Sequence, residues 1–177
     1  AMLVPSPFGL TGDRVMRELL ASGLLGELRE LYVRGLSGQI ADATAPLHWR
    51  QRADLSGVNV LSLGILAETV QRWFGRADTV LAQASLFIPR RVNLDTGLAQ
   101  DVDVPDSITV LARQANGANA VYHVSGVAHF GGQLGGGSRI EAYGSAGTIV
   151  YNLGDDTILA GRAGDKELAP VPIPPDK

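Results

Sequence analysis

The side chains able to do chemistry cluster in one stretch, Trp49 to Gly75, WRQRADLSGVNVLSLGILAETVQRWFG. Trp49-Arg50 opens it, and an arginine beside an aromatic ring can hold a polar or anionic ligand while the ring fixes its plane. An arginine simply stacked on Trp49 at the surface gives the same pattern. Between Leu55 and Ala67 no side chain is charged, and the apolar residues surround the helix axis instead of forming a stripe, the pattern of a helix buried on most sides. With Asp54 capping its first turn, Asn59, Ser62, Leu66, Thr69 and Trp73 follow at steps of three and four and share one face. Glu68, where the charge-free run ends, is either a pocket carboxylate or part of a solvated helix end near Gln71 and Arg72.

Other constellations fail on geometry. His123 and His129 would share a strand face, but six residues at about 3.3 Å each place them roughly 20 Å apart, too far to share one metal ion. His48 lies in a distant loop, and there is no His-x-x-x-His spacing. The glycine-rich run from Gly131 to Gly137 precedes a strand, whereas a phosphate cradle needs a helix after it. Ser62 has no histidine nearby in sequence to activate it, and no G-x-S-x-G elbow is present. With no cysteine there is no disulfide framework, thiolate metal site or thiol nucleophile, which fits a cytoplasmic protein.

The elements that must position these residues follow from patterning. A chain of 177 residues, 45% hydrophobic and 19% charged, suits one compact domain with a single core. Ala1 precedes a start-like methionine, so the domain is taken as residues 2–177. A net charge of −3 without a basic block argues against a nucleic-acid partner, because phosphate binding needs clustered Lys and Arg. No apolar run reaches the roughly 18 residues that cross a bilayer, and no secretory leader is recognisable, so neither membrane nor export is expected.

Residues 3–10 predict a short strand stopped by proline, and Val15, Met16, Leu19 and Leu20 predict a helix closed at Ser22-Gly23. Alternation from Leu28 to Arg34 predicts a strand; residues 38–48 predict a loop, and the buried helix then runs to about Phe74. Strands are expected over 78–88 and 106–114, joined by a long connection with an Asp-Thr-Gly turn. Asn116-Gly117 signals a hairpin into a strand over 118–130, whose Ala118, Ala120, Tyr122 and Val124 form an apolar face. Short strands over 138–143, 148–152, 157–162 and 167–173 make a meander, ended by the proline-rich tail. The sum is an α+β domain with a large, mostly antiparallel sheet, helices on one face and the other face open, suited to symmetric self-association or left solvated.

Four segments in this order, LLASGLLGELREL (19–31), HWR (48–50), SGVNVLSLGILAETVQRWFG (56–75) and RIEAYGSAGTIVY (139–151), resemble the C-terminal domain of the Gfo/Idh/MocA dehydrogenases. The resemblance covers nearly the whole chain and includes the turn Gly144–Thr148. It implies a domain that supplies the substrate side of a cleft, dimerises through its open sheet, and works beside a Rossmann domain binding NAD or NADP on sugars or polyols. That Rossmann half, with its glycine fingerprint and catalytic lysine, is absent, so no cofactor is expected in this chain and no turnover by the chain alone. The alternative is a free-standing binding or assembly module that keeps the fold and dimerises through its sheet. Active members commonly read D-x-G-x-H in the buried helix; here the matching positions are Ser62, Gly64 and Leu66, and neither serine nor leucine serves as a general acid or base near neutral pH. The resemblance thus gives no catalytic residue and makes Trp49, Arg50, Asn59, Ser62, Leu66 and Glu68 the candidate substrate-binding set.

Overall fold

The computed structural model describes residues 10–58, 61–133 and 137–175. The expected strand at 3–10 therefore falls almost wholly outside the described residues, as do Asn59 and part of the glycine-rich run.

The architecture is α+β, with an eight-stranded mixed sheet in the order β10-β9-β8-β7-β1-β6-β5-β2. In chain order, α1 (Asp13–Ala21) leads into β1 (Leu28–Leu36); a 3-10 turn (Trp49–Gln51), α2 (Ala53–Ser56) and α3 (Leu63–Phe74) follow. Then come β2 (Ala77–Ser85), β3 (Arg90–Val92), β4 (Ala99–Asp101), β5 (Ser107–Gln114) and β6 (Asn119–Ser125). The meander β7 (Ser138–Gly144), β8 (Gly147–Asn152), β9 (Thr157–Arg162) and β10 (Ala169–Val171) closes the chain. All pairings are antiparallel except β1 with β6, so the first strand occupies the middle of the sheet.

The Asn116-Gly117 hairpin joins β5 to β6 as its residues require, with Gly117 at φ 90. The connection after β2, expected as loop, holds the two-stranded hairpin β3–β4 around its Asp-Thr-Gly turn. β6 ends at Ser125 instead of continuing to 130, and Gly126 to Gly131 turn away. His129 is thus off the strand, which removes the shared face it was expected to have with His123.

Register explains how the core is filled. One inner row crosses seven strands as Val80, Ala112, Ala120, Leu31, Ala142, Ile149 and Ala160, rich in small residues. The next reads Ala82, Val110, Tyr122, Val33, Ile140, Tyr151 and Ile158, and is bulky. Small and large rows alternate so that helices can settle between ridges. α1 and α3 cover this face, tied together where Trp73 Nε1 donates to Asp13 Oδ1 at 2.7 Å. At the start of α3 the approach is closest: a Cβ placed on Gly35 of β1 would lie 2.8 Å from Ser62 Oγ and 3.0 Å from Leu66 Cδ1.

The single buried helix expected from Asp54 to Phe74 is two helices, α2 and α3, separated by a break. Asp54 does not cap it; it sits in the first turn of α2, paired with Arg52 at 2.6 Å. Gly57 at φ 64 and Leu61 at φ 51 break the path, since neither conformation continues a right-handed helix. Nor is α3 buried on most sides: Leu66, Thr69, Val70 and Trp73 face the sheet, while Ile65 points outward and is 49% exposed. Thr69 Oγ1, fully buried, is satisfied by donating to Ile65 O at 2.9 Å.

Among the described residues no helix covers the outer face of the sheet. Its middle row reads Leu81, Leu111, Val121, Tyr32, Glu141, Val150 and Leu159. On one side lies the row Gln83, Thr109, His123, Arg34, Arg139, Asn152 and Thr157. On the other lies Thr79, Arg113, Asn119, Glu30, Tyr143, Thr148 and Gly161. An apolar band between two polar ones therefore runs across the strands.

Candidate functional site

A cavity of about 390 Å³ lies beside the 3-10 turn, where the loop after β1 meets the β3–β4 hairpin. Local hydrogen bonding fixes the turn. His48 Nδ1 accepts from Arg50 N at 3.2 Å, and Gln51 Oε1 accepts from His48 N at 3.0 Å, a reciprocal cap at the turn's start. A neutral ring that accepts at Nδ1 keeps its proton on Nε2, which makes Nε2–H a donor. The turn is docked to the next segment by Asp103 Oδ1, which accepts from Ala53 N at 2.7 Å.

Arg91 builds the opposite wall. It is buried, and its guanidinium donates to three backbone carbonyls of the loop after β1: Ile40 O at 2.5 Å, Asp42 O at 2.6 Å and Ala45 O at 3.0 Å. Leu47 N donates to Val92 O at 2.8 Å beside it. One side chain thus shapes a loop that has no regular structure of its own. Within that loop the Thr44 hydroxyl, with the Thr44 amide, holds the Asp42 carboxyl below the usual carboxylate range.

Gln39, His48, Arg50, Gln51 and Arg91 give the cavity its polar lining; Ile40, Ala45, Pro46, Leu61, Val104 and Pro105 give the apolar remainder. A few convergent polar groups on an apolar wall, in this size range, is the ordinary make-up of a small-molecule site. Arg50 lies with its Cζ 4.3 Å from the centre of the Trp49 ring, and the His48 and Trp49 rings are 5.6 Å apart. Arg50 is therefore both the stacked arginine and a cavity-lining one. Its neighbour Arg52 is engaged with Asp54, whose carboxyl the Arg52 guanidinium holds below its ordinary value.

The remaining sequence candidates lie elsewhere. Glu68 is half-buried on α3, pairs with Arg72 at 3.1 Å, and lines a separate open depression with Gly64, Ala67 and Gln71. Leu66 is 1% exposed, inside the core cluster. Ser62 is half-buried at the start of α3, its hydroxyl against Gly35. The face shared by Ser62, Leu66, Thr69 and Trp73 thus meets β1 and the core, not a cleft. Asn59 lies outside the described residues. Leu61, two positions on, lines the cavity, so this end of the break before α3 does reach it. Arg91 is absent from the sequence-derived set. The signal was the pair Arg90-Arg91 in a β-pattern, which obliges one arginine to point inward; Arg90 instead pairs outside with Asp101 at 3.1 Å.

Residues 14–150 match the model of the GFO/IDH/MocA C-terminal domain. The chain belongs to that family. A curated relative, an uncharacterised oxidoreductase of Synechocystis sp., is 29% identical over 143 residues, which is 80% of this chain and 37% of the relative. Levoglucosan dehydrogenase, solved in complex with NADH and L-sorbose, superposes with a TM-score of 0.83 at 24% identity, over 96% of this chain and 46% of its own. The transcriptional regulator Gal80p of Kluyveromyces lactis superposes with a TM-score of 0.66 at 20% identity, over 89% of this chain and 42% of its own. The chain spans less than half the length of these relatives. Its fold occurs in dehydrogenases and in a regulator alike, so chemistry has to be argued from the site. Among the described residues no group of three or more His, Cys, Asp or Glu side chains could hold a metal ion, and no helix is long and apolar enough to cross a membrane.

Proposed function

We propose that this chain is the substrate-binding and association domain of a GFO/IDH/MocA-type NAD(P)-dependent oxidoreductase acting on a sugar or polyol, and that it does not turn over by itself. The observation that carries the reading is the cavity of about 390 Å³ rimmed by Arg50 and roofed by the loop that Arg91 holds. It is large enough for one small polyhydroxylated molecule and offers directional donors over an apolar floor. A dinucleotide held by a separate Rossmann-type domain would accept or supply the hydride. This chain's share is then to bind and orient the substrate through Trp49, Arg50 and His48.

Two observations support inactivity of the chain alone. Leu66, at the family's histidine position, is apolar and enclosed, and the Ser62 hydroxyl abuts the β1 backbone. Neither moves a proton near neutral pH, so the acid–base group has to come from outside this helix. The test is the absorbance at 340 nm of the chain with NAD⁺ or NADP⁺ and a panel of polyols: a flat trace is expected, and sustained reduction of the dinucleotide would overturn this part of the reading. Binding is tested separately by the melting temperature with the same panel; a panel without any shift would remove the substrate role.

Self-association is proposed through the outer face of the sheet. The band from Leu81 to Leu159 is apolar except at Glu141, and Leu81, Leu111 and Tyr32 are exposed in it. Two copies related by a two-fold axis can lay such a band on itself. The same surface supports a second reading, a non-catalytic binding or assembly module, favoured by the enclosed Leu66. Sedimentation at micromolar concentration separates the outcomes; a strict monomer would count against association in either reading.

A further inference from the structure

The polar wall of the cavity is unusual in charge. It has two arginines and a histidine, and among the described residues that line it there is no aspartate or glutamate. The arginines around it are otherwise employed: Arg52 grips Asp54, Arg90 pairs with Asp101, and Arg91 is spent on backbone carbonyls. Those carbonyls engage the two terminal nitrogens of Arg91 without cancelling its charge, and Arg91 Nε is buried with no partner among the described residues. Arg50 differs from all three. Its guanidinium rests on the Trp49 ring, a contact that orients the plane, and among the described residues no side-chain hydrogen bond or ion pair takes up its N–H fork.

Donors also outnumber acceptors. Arg50, His48 Nε2–H and the glutamine amides can all donate into the site, whereas the side-chain acceptors are glutamine amide oxygens, and that of Gln51 is already taken by His48 N. A neutral polyol presents hydroxyl protons that need acceptors; a carboxylate presents only acceptors. A fork of N–H groups held flat on an aromatic ring fits a carboxylate in two parallel bonds. The apolar wall of Leu61, Val104 and Pro105 leaves room for the C–H face of a sugar beside it.

We propose that this cavity takes a sugar acid, an aldonate or uronate, with its carboxylate on Arg50 and His48, in preference to the neutral sugar of the same skeleton. The inference rests on the cavity being the substrate site proposed above. It is tested by calorimetric titration of the full chain at low salt with matched pairs, D-gluconate against D-glucitol and D-galacturonate against D-galactose, with acetate as the bare anion. The acid of each pair should bind about tenfold or more tightly than its neutral partner, the size of one charge-assisted pair. Arg50→Ala should abolish that preference, and Arg50→Lys should restore only part of it, since a point charge cannot make two parallel bonds. Arg50 is exposed, so both variants should melt with the parent in the absence of ligand. Equal binding within each pair would overturn the sugar-acid inference and leave the sugar cavity standing. Acetate binding as tightly as gluconate would overturn the sugar part of the inference. No binding by any compound up to about 10 mM would overturn both readings.

Discussion

The two faces of the eight-stranded sheet are written in the same strands, residue by residue in alternation, and they have opposite fates. On the inner face the rows through Leu31 and Val33 are closed by α1 and α3, and from β5 to β9 their side chains are almost wholly removed from water; only at the edge strand β2 are Val80 and Ala82 exposed. On the outer face the row through Tyr32 is just as continuous but open to solvent at Leu81, Leu111 and Tyr32, whereas Val150 toward its other end is buried. It contains an ionic knot that the inner face lacks: Arg34 reaches Glu141 at 3.1 Å, Tyr143 donates to Glu141 at 2.5 Å, and Arg139 Nε lies 3.2 Å from the same carboxylate as an ion pair without a hydrogen bond. Glu141 stands in the middle of the apolar band, where a charge pinned by three neighbours can fix how a second surface lands on it. Residues on the inner face should therefore report on stability, and residues on the outer face on association.

The largest effect is expected from Leu66→Ala, which empties the space above β1. It should cost about 2–5 kcal/mol in denaturant unfolding, with the midpoint falling at unchanged slope. A loss under 1 kcal/mol would mean that the inner face tolerates gaps and would blur the contrast. Next is Gly35→Ala. The new methyl meets Ser62 Oγ and Leu66 Cδ1, and overpacking of this kind costs about 1–3 kcal/mol. Adding Ser62→Ala should recover part of that loss, and no recovery would show that the hydroxyl is not the obstacle.

Tyr143→Phe probes the outer knot and should cost about 0.5–1.5 kcal/mol at neutral pH, the ordinary range for one hydrogen bond. It also has a pH signature. Burial, and then the hydrogen bond to Glu141, push the Tyr143 hydroxyl from 10.0 up to about 12. A pKa raised in the folded state gives stability that is complete below the unfolded value and is lost as pH rises toward the folded one. The parent should therefore lose stability between about pH 10 and 12 more steeply than the phenylalanine variant; parallel curves would sink the assignment. Leu111→Asp should change dilute-protein stability least, within about 0.5 kcal/mol, yet convert a dimer to monomer in sedimentation. An unchanged sedimentation profile would break the proposed division of labour.

Much of this contrast is legible in the sequence. The alternation in β1, β5 and β6 separates the faces, Asn116-Gly117 places its hairpin, and the meander from 138 onward is spaced by its turns. What misleads is apolar content without direction. Leu55, Val58 and Ile65 suggest a helix buried all round, but they are exposed, and Gly57 and Leu61 take left-handed conformations that end the helix instead of lying within it. The parallel pairing of β1 with β6 leaves no local signal, because neither strand's pattern encodes its neighbour. For the site, Trp49-Arg50 is found from composition and adjacency. Arg91 is not, since its role depends on three carbonyls of a loop some forty to fifty residues earlier. Ser62 and Leu66 keep the right spacing on one face, but spacing alone could not tell whether that face meets a cleft or a core.

The central position of β1 also sets a timetable. Its partners are β6, where Glu30 meets Asn119, and β7, where Leu28 meets Gly144. During synthesis from the N-terminus, β1 emerges long before either exists, with both edges open. Such non-local closure is slow, and an unpaired apolar strand is open to pairing with other copies while it waits. β1 meets that interval with Arg29, Glu30 and Arg34 among its nine residues, charges that discourage stacking of identical strands. Two of them later find partners in the finished sheet, Glu30 accepting from Asn119 and Arg34 pairing with Glu141. The residues that pattern the outer face at the end are thus the ones that guard the nascent strand at the beginning.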